Sequence, residues 1–389
     1  MKKLAVISEF NPFHNGHKYL LERAKKLTKS DILICIMSGD FVQRGEACLI
    51  DKFKRANSAI DYADLVIEMP SFVTLQGANF FAYKNVEILN KLGIDYLAFG
   101  IENIDEKAFL ENANLILKND NLIDEKIRKL LDKGLSFTKA SYLACQSIVK
   151  NQNFLSSNNV LALEYLRAIK KINKDIKPCP IKRKGSQNKD KDLREGLFSS
   201  STSIRNNIDD KSIKKYLTEK SYSEIKTFEK DYNFPNFEYF YKLFRYKILI
   251  EKRDMATNLC YENGLDNLLY NLSKDNEDYI SFIKNATSLR FTKSRIKRLI
   301  LNYLLNNEIF LNDIDINFVK ILAFNKRSTK IMKNKDINFI IKKKDSEKLN
   351  KENKLVYKKM IDSSNLYSLA INRDLDYDFS YKLSIKKSS

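Results

Sequence analysis

Only two histidines occur in the 389 residues, and they stand three positions apart, His14 and His17, in the stretch FNPFHNGHKYLL. Two imidazoles one helical turn apart can point at one anion, each donating a hydrogen bond to a phosphate oxygen, more strongly when protonated. Gly16 lets the backbone approach a ligand with no Cβ in the way. The plainer alternative is a pair of surface histidines capping a turn. A metal centre would need third and fourth ligands, which this stretch does not offer. A second constellation is SSSTSIR, residues 199–205. There Ser201, Thr202 and Ser203 suit the capping of a predicted helix start, with Arg205 just after them.

The elements around these residues decide how they point. The histidine stretch follows the apolar run Leu4–Ile7 directly and opens a predicted helix from His17 to Lys26. A helix N-terminus offers free N–H groups and a partial positive charge, a ready seat for phosphate. Further apolar runs at 32–37, 65–69 and 96–99 alternate with helical patterns near 52–62 and 78–92. Unbroken apolar strands separated by helices predict a parallel sheet covered on both faces, with ligands beyond the strands' carboxyl ends. Helices are predicted over 106–174, then an extended segment at 176–182, where Pro178 and Pro180 forbid a helix. The polar run 184–192 reads as a loop. Beyond about Lys230 the pattern is helical and lysine-rich, so the domain boundary falls softly between Asn207 and Asn233.

Charge divides the chain in the same place. Residues 1–150 carry 21 Lys and Arg against 19 Asp and Glu; the remainder carries 48 against 30, nearly all of the net +20. A genome-wide lysine bias would act on both parts alike, so the asymmetry points to a polyanionic partner for the later part. ARG-rich RFTKSR with KR following, which holds Arg290, Lys293, Arg295, Lys297 and Arg298, suits an RNA backbone, although each such residue is more often part of a solvated face. Five scattered cysteines without CxxC spacing, the absence of a secretory h-region, and apolar runs too short for a bilayer lead to the expectation of a reduced, cytoplasmic protein without a structural metal.

HNGH resembles the HxGH signature of a nucleotidyltransferase superfamily shared with class I aminoacyl-tRNA synthetases, and SSTSIR resembles its later serine-rich segment, which implies that Ser201, Thr202 and Ser203 donate to the triphosphate and Arg205 neutralises it. No KMSKS-like lysine motif accompanies them. SEFNPFHNGH, MSGDFVQRGE, DLVIEMP, LAFGIEN, SNNVLALEYL and SSTSIR, in this order, are similar to the tRNA(Met) cytidine acetate ligase family over nearly the whole chain. The resemblance implies a Rossmann-like α/β fold with an HxGH nucleotide site, followed by a basic, mainly helical C-terminal region. It implies a catalytic domain for ATP and acetate over 1–220 and a tRNA-binding domain over 221–389. The implied reaction makes acetyl-adenylate and passes the acetyl group to the wobble cytidine of elongator tRNA(Met), giving N4-acetylcytidine, with Mg²⁺ expected beside ATP.

By the same resemblance His14 and His17 stabilise phosphates. The nucleotide site comprises Ile7, Ser8, Glu9, Phe10, Asn11, Pro12, Phe13, His14, Asn15, Gly16, His17, Lys18, Tyr19 and Leu20, then Gly100, an asparagine of the pair Asn158 and Asn159, and Arg183. Gly100 suits adenine packed on bare backbone. Arg44, Lys52 and Arg55 are candidates for acetate or pyrophosphate, with a solvated helix start as the alternative for the last two. After Arg183 the family's Tyr-His pair is replaced by Gln187-Asn188-Lys189. The alternative functions are a small-molecule nucleotidyltransferase that builds a cofactor, whose chains are usually shorter, and a non-catalytic RNA-binding protein.

Overall fold

Strands without a polar face must be covered on both sides, and the sheet at the centre of this chain is built that way. The computed structural model describes residues 1–149, 152–184 and 196–386. Ten strands run in chain order: β1 (Lys3–Ser8), β2 (Ile32–Ser38), β3 (Phe41–Val42), β4 (Glu46–Ala47), β5 (Leu65–Met69), β6 (Tyr96–Ile101), β7 (Lys177–Lys182), β8 (Phe318–Asn325), β9 (Asn338–Ile340) and β10 (Ser384–Lys386). Along β2 every residue is buried. Ile32, Ile34 and Ile36 enter one hydrophobic layer; Leu33, Cys35 and Met37 enter the other. That alternation is the signature of a sheet sandwiched between helices.

The strand order is β10-β8-β5-β2-β1-β6-β7, with β9 beside β8 and the β3–β4 hairpin separate. The strands from β5 to β7 are parallel. The chain winds from β1 outward to β5 and then returns to place β6 on the other side of β1. The resulting switch point lies beyond the carboxyl ends of β1 and β6, where parallel sheets hold their ligands. Pro178 and Pro180 lie in β7, the last strand on that side, where an absent N–H donor leaves no neighbour unpaired. The loop expected at 184–192, and with it Gln187-Asn188-Lys189, lies outside the described residues except for Lys184.

The later chain is mainly helical, as expected, and it also adds strands to the central sheet. Most of residues 219–304 is helical; one core closes within this segment around Phe244, Phe282 and Tyr303, and a second, around Tyr216 and Phe240, also takes in Phe41, Ile50 and Tyr367 from outside it. Residues 318–386 instead return to the central sheet, with β8 antiparallel to β5 and β10 parallel to β8. The division at residue 220 therefore does not follow the sheet. Lys320 in β8 disguised the strand, since a lysine interrupts its apolar run. It is buried against Glu68 of β5 and Asp378 near the C-terminus, both of which Lys52 also contacts, at 2.8 and 2.7 Å. No helix among the described residues is long and apolar enough to cross a membrane.

Candidate functional site

At the switch point a cavity of about 1100 Å³ opens. Ligand pockets commonly run to about 300–1,000 Å³, so this one has room for a nucleotide and a second group. Its floor is the stretch after β1. His14 is the N-cap of the first helix, Asn15–Thr28, and the two histidines form a reciprocal capping box. The Gly16 N–H donates to His14 Nδ1 at 3.0 Å, and the His14 N–H donates to His17 Nδ1 at 3.3 Å. Both Nδ1 atoms are thus acceptors, which puts the proton of each neutral ring on Nε2. The rings stack with centroids 3.8 Å apart. Burial depresses the His14 imidazole well below its usual range, with His17, Arg183 and Arg205 adding to the effect. Burial, then Arg183, takes His17 down to about 3. In the empty chain at neutral pH both rings are neutral Nε2–H donors. The buried His14 Nε2 has no hydrogen-bond partner among the described residues.

The capping reading and the phosphate reading therefore merge, because each ring caps the helix with one nitrogen and keeps the other free. Gly16 has a different reason from the one expected. A Cβ there would stand 2.7 Å from His14 Cε1, so glycine makes room for the ring that caps it. Ile7, Ser8, Glu9, Phe10, Asn11, His14, Gly16, His17, Tyr19 and Leu20 line the cavity. The other members of the expected stretch do not. Pro12 and Phe13 are buried, and Phe13 stacks on Tyr62 at 5.6 Å. The Lys18 ammonium lies over that same ring, and Asn15 donates to the carbonyls of Leu197 and Lys215 at 3.1 and 2.9 Å.

Gly100 lies at the end of β6, with Arg183 packed over it; a Cβ would meet Arg183 Cγ at 3.2 Å. Both line the cavity. Glu102 organises this wall, a role unnoticed in the sequence although the residue closes the LAFGIE stretch. It pairs with Arg183 at 3.3 Å and accepts from Asn158. Asn159 is fully buried and clasps the Glu102 main chain, accepting its N–H at 2.8 Å and donating to its carbonyl at 2.9 Å. Of the asparagine pair, Asn158 lines the cavity and Asn159 supports the wall.

The opposite wall comes from Ser201–Asn206, a short helix capped by Ser200, whose side chain accepts the Ser203 N–H. Ser201, Thr202 and Arg205 line the cavity. Arg205 donates to the Asn11 carbonyl at 2.7 Å, tying this helix to the histidine stretch.

Lys52 and Arg55 are corrected. Each is fully buried and neither lines the cavity. Lys52 is committed to Glu68, Asp378 and the Ser364 hydroxyl. Arg55 donates to the carbonyls of Ile50, Glu9, Ser38 and Gly39, bracing the loops behind the site. Arg44 alone of the three reaches the cavity, from the β3–β4 turn.

The basic segment in the later chain forms the cavity's far rim. Arg290 and Arg295 line it, and both pair with Glu262. Lys293 is exposed and begins the helix Lys293–Leu304. Lys297 and Arg298 are not a solvated face. Lys297 is buried on Glu46 at 2.6 Å, and Arg298 donates to the Gln43 carbonyl at 3.1 Å. Gly45, at φ +73°, makes this docking possible, since a Cβ would collide with the Arg298 N at 2.7 Å. All five cysteines are free. Among the described residues no group of three or more His, Cys, Asp or Glu is placed to hold a metal ion.

A family model described as HIGH Nucleotidyl Transferase matches residues 1–380. A tRNA(Met) cytidine acetate ligase of Clostridium botulinum is 34% identical over 405 residues, covering 98% of this chain and 97% of its own. One from Thermosipho africanus is 38% identical over 339 residues, covering 83% and 80%. Among solved structures, Thermotoga maritima TmcAL in its apo form superposes with a TM-score of 0.89 at 28% identity, over the full length of both chains. The same protein bound with alpha-thio ATP gives 0.86 at 26% identity, again over both whole chains.

Proposed function

This chain belongs to the tRNA(Met) cytidine acetate ligases, within the HIGH nucleotidyl transferases, and as a ligase of that family we propose that it activates acetate with ATP and acetylates the wobble cytidine of elongator tRNA(Met). The observation that carries the reading is the pair of neutral, stacked imidazoles. Both keep Nε2–H at a helix N-terminus, on the floor of a cavity whose walls bear Arg183 and Arg205. Such donors suit the charge that grows on phosphate oxygens during displacement at the α-phosphorus. An acetate oxygen forms the new bond to that phosphorus, and the bond to the pyrophosphate oxygen breaks. The Thermotoga maritima relative holds alpha-thio ATP, which supports a nucleotide in the corresponding cavity here.

Arg183 suits the adenylate end, beside Gly100. Ser201, Thr202 and Arg205 suit the outer phosphates, and Arg44 in the turn of the hairpin suits acetate or pyrophosphate. Mg²⁺ would accompany the nucleotide in this reading and would screen its phosphate charge. Arg290, Lys293 and Arg295 at the rim suit the incoming RNA, and a cytoplasmic enzyme is the expectation for a tRNA substrate.

The test is pyrophosphate release from ATP, measured with and without acetate and with and without tRNA(Met). Release that requires acetate supports carboxylate activation. Release indifferent to acetate would replace this reading with a small-molecule nucleotidyltransferase. His17→Ala is expected to lower acetate-dependent release by about 10²–10³-fold, the usual cost of losing one transition-state donor.

A further inference from the structure

Resting on the proposed reaction, we infer that the Glu9 carboxylate is the general base that takes the proton from the cytidine N4 amine as it attacks acetyl-adenylate. The first half of the reaction moves no proton, because acetate attacks as an anion. The second half must move one. The N4 nitrogen forms a bond to the acetyl carbon, the bond from that carbon to the adenylate oxygen breaks with its electron pair leaving on AMP, and one N4 proton has to go to a base.

The cavity supplies few candidates. Neither histidine can serve, since each Nδ1 is occupied by a main-chain N–H and each Nε2 already carries the proton. Three carboxylates line the cavity, and two of them are neutralised by cations. Glu46 pairs with Lys297 at 2.6 Å and with Arg205 at 3.7 Å; Glu164 pairs with Arg167 at 2.6 Å. Glu9 makes no ion pair with a described residue. The other titratable side chains on the walls are cations, phenols and thiols, which hold their protons at neutral pH.

Glu9 is also the best-positioned of the three. It follows β1 directly, at the sheet's switch point, in the same connection as the histidines. Its main-chain carbonyl accepts from Arg55 at 2.6 Å, and one carboxylate oxygen accepts the Gln43 N–H at 2.7 Å. Held at both ends, it keeps its second oxygen for a ligand. Burial raises its pKa above the usual carboxylate range, which makes the carboxylate a stronger base. The charged or titratable groups facing it are Arg44 and Glu46 from the hairpin, Cys48 just after it, Arg205 from the short serine-rich helix, Tyr165 from the wall behind, and Arg55 at its carbonyl.

The experiment compares two half-reactions of the full-length enzyme and its Glu9→Gln variant: acetate-dependent exchange of pyrophosphate into ATP, and acetyl transfer to tRNA(Met). Glutamine keeps an oxygen for the Gln43 N–H but cannot take a proton. The ratio of transfer to exchange is expected to fall by about 10²-fold or more. In the unaltered chain transfer should rise with pH through one titration and level off. That rise should vanish in Glu9→Gln, and Glu9→Asp should recover part of the transfer. An unchanged ratio in Glu9→Gln, whether both half-reactions persist or both fail, overturns the assignment and leaves Glu9 a binding or structural residue. If the unaltered chain shows no acetate-dependent exchange, the ligase reading itself fails, and this assignment with it.

Discussion

His14 and His17 each cap the helix with one ring nitrogen, and in the proposed function each serves the ligand with the other; the two services can be separated. Gly16→Ala puts a Cβ 2.7 Å from His14 Cε1 and must turn that ring off the Gly16 N–H. Loss of such a cap is expected to cost about 0.5–2 kcal/mol in urea unfolding. ATP affinity by calorimetry should fall as well, since the displaced ring no longer aims Nε2 at the cavity. Unfolding that shifts while affinity holds would confine His14 to capping. The rings also predict a pH dependence. Both are kept neutral when folded, His17 down to about 3, whereas unfolded imidazoles titrate near 6.5. Below about pH 6.5 the unfolded chain therefore binds more protons, and stability present above that pH is lost as pH falls toward 3. The slope is about 1.4 kcal/mol per pH unit for each histidine. No other histidine exists to share it, so a His14→Gln/His17→Gln variant should flatten the unfolding midpoint between pH 6.5 and 5. The phosphate site was legible in HNGH because residue type, spacing and helix start all agree. Lys52 was not, because its burial depends on a tail some three hundred residues away, and Arg55 was not, because its partners are main-chain carbonyls of loops that only the fold brings round it.

That tail shows what one element can do for another. Asp378 reaches back between Lys52 of the helix Lys52–Ala59 and Lys320 of β8, and Glu68 of β5 completes the group. Charges this deeply buried are tolerable only while each keeps its partners. The two lysines hold the Asp378 carboxyl down at about 2, against burial that would raise it. Its contribution to stability is thus present above the ordinary aspartate range near 3.9 and lost only as pH falls through about 2. Asp378→Ala removes the carboxylate that both ammonium groups share, leaving Lys320 with Glu68 alone and Lys52 with Glu68 and, at 3.9 Å, Asp40, and a loss of about 3–5 kcal/mol in urea unfolding is expected. A loss under 1 kcal/mol would mean that the tail does not fasten β8 to the sheet. The same group explains why the sheet was only partly legible. The strands from β1 to β6 announce themselves as unbroken apolar runs. β8 carries a lysine whose two acidic partners lie far off in sequence, and no local pattern distinguishes that lysine from one facing solvent.

Over the whole molecule the positive charge and the cavity meet. Residues 151–389 hold a net +18, and part of that excess, Arg205, Arg290, Arg295 and Arg298, lines a cavity whose floor belongs to the nearly neutral first part. The Lys293–Leu304 helix is locked on the hairpin through Lys297 and Arg298, so the basic rim is fixed relative to the histidines and cannot swing away independently. On the proposed function, a polyanion drawn to that rim is delivered to the reacting centre, whereas ATP and acetate need no such field. The two kinds of substrate should consequently respond differently to salt. Binding of tRNA that neutralises about six phosphates should weaken with a log–log slope near −4 to −5, a loss of about 10²–10³-fold between 50 and 200 mM salt. Acetate-dependent pyrophosphate exchange without tRNA should change only a few-fold over the same range. A shallow slope for tRNA would instead assign the surplus lysines to compositional bias, and RNA recognition would then have to rest on the few rim residues alone.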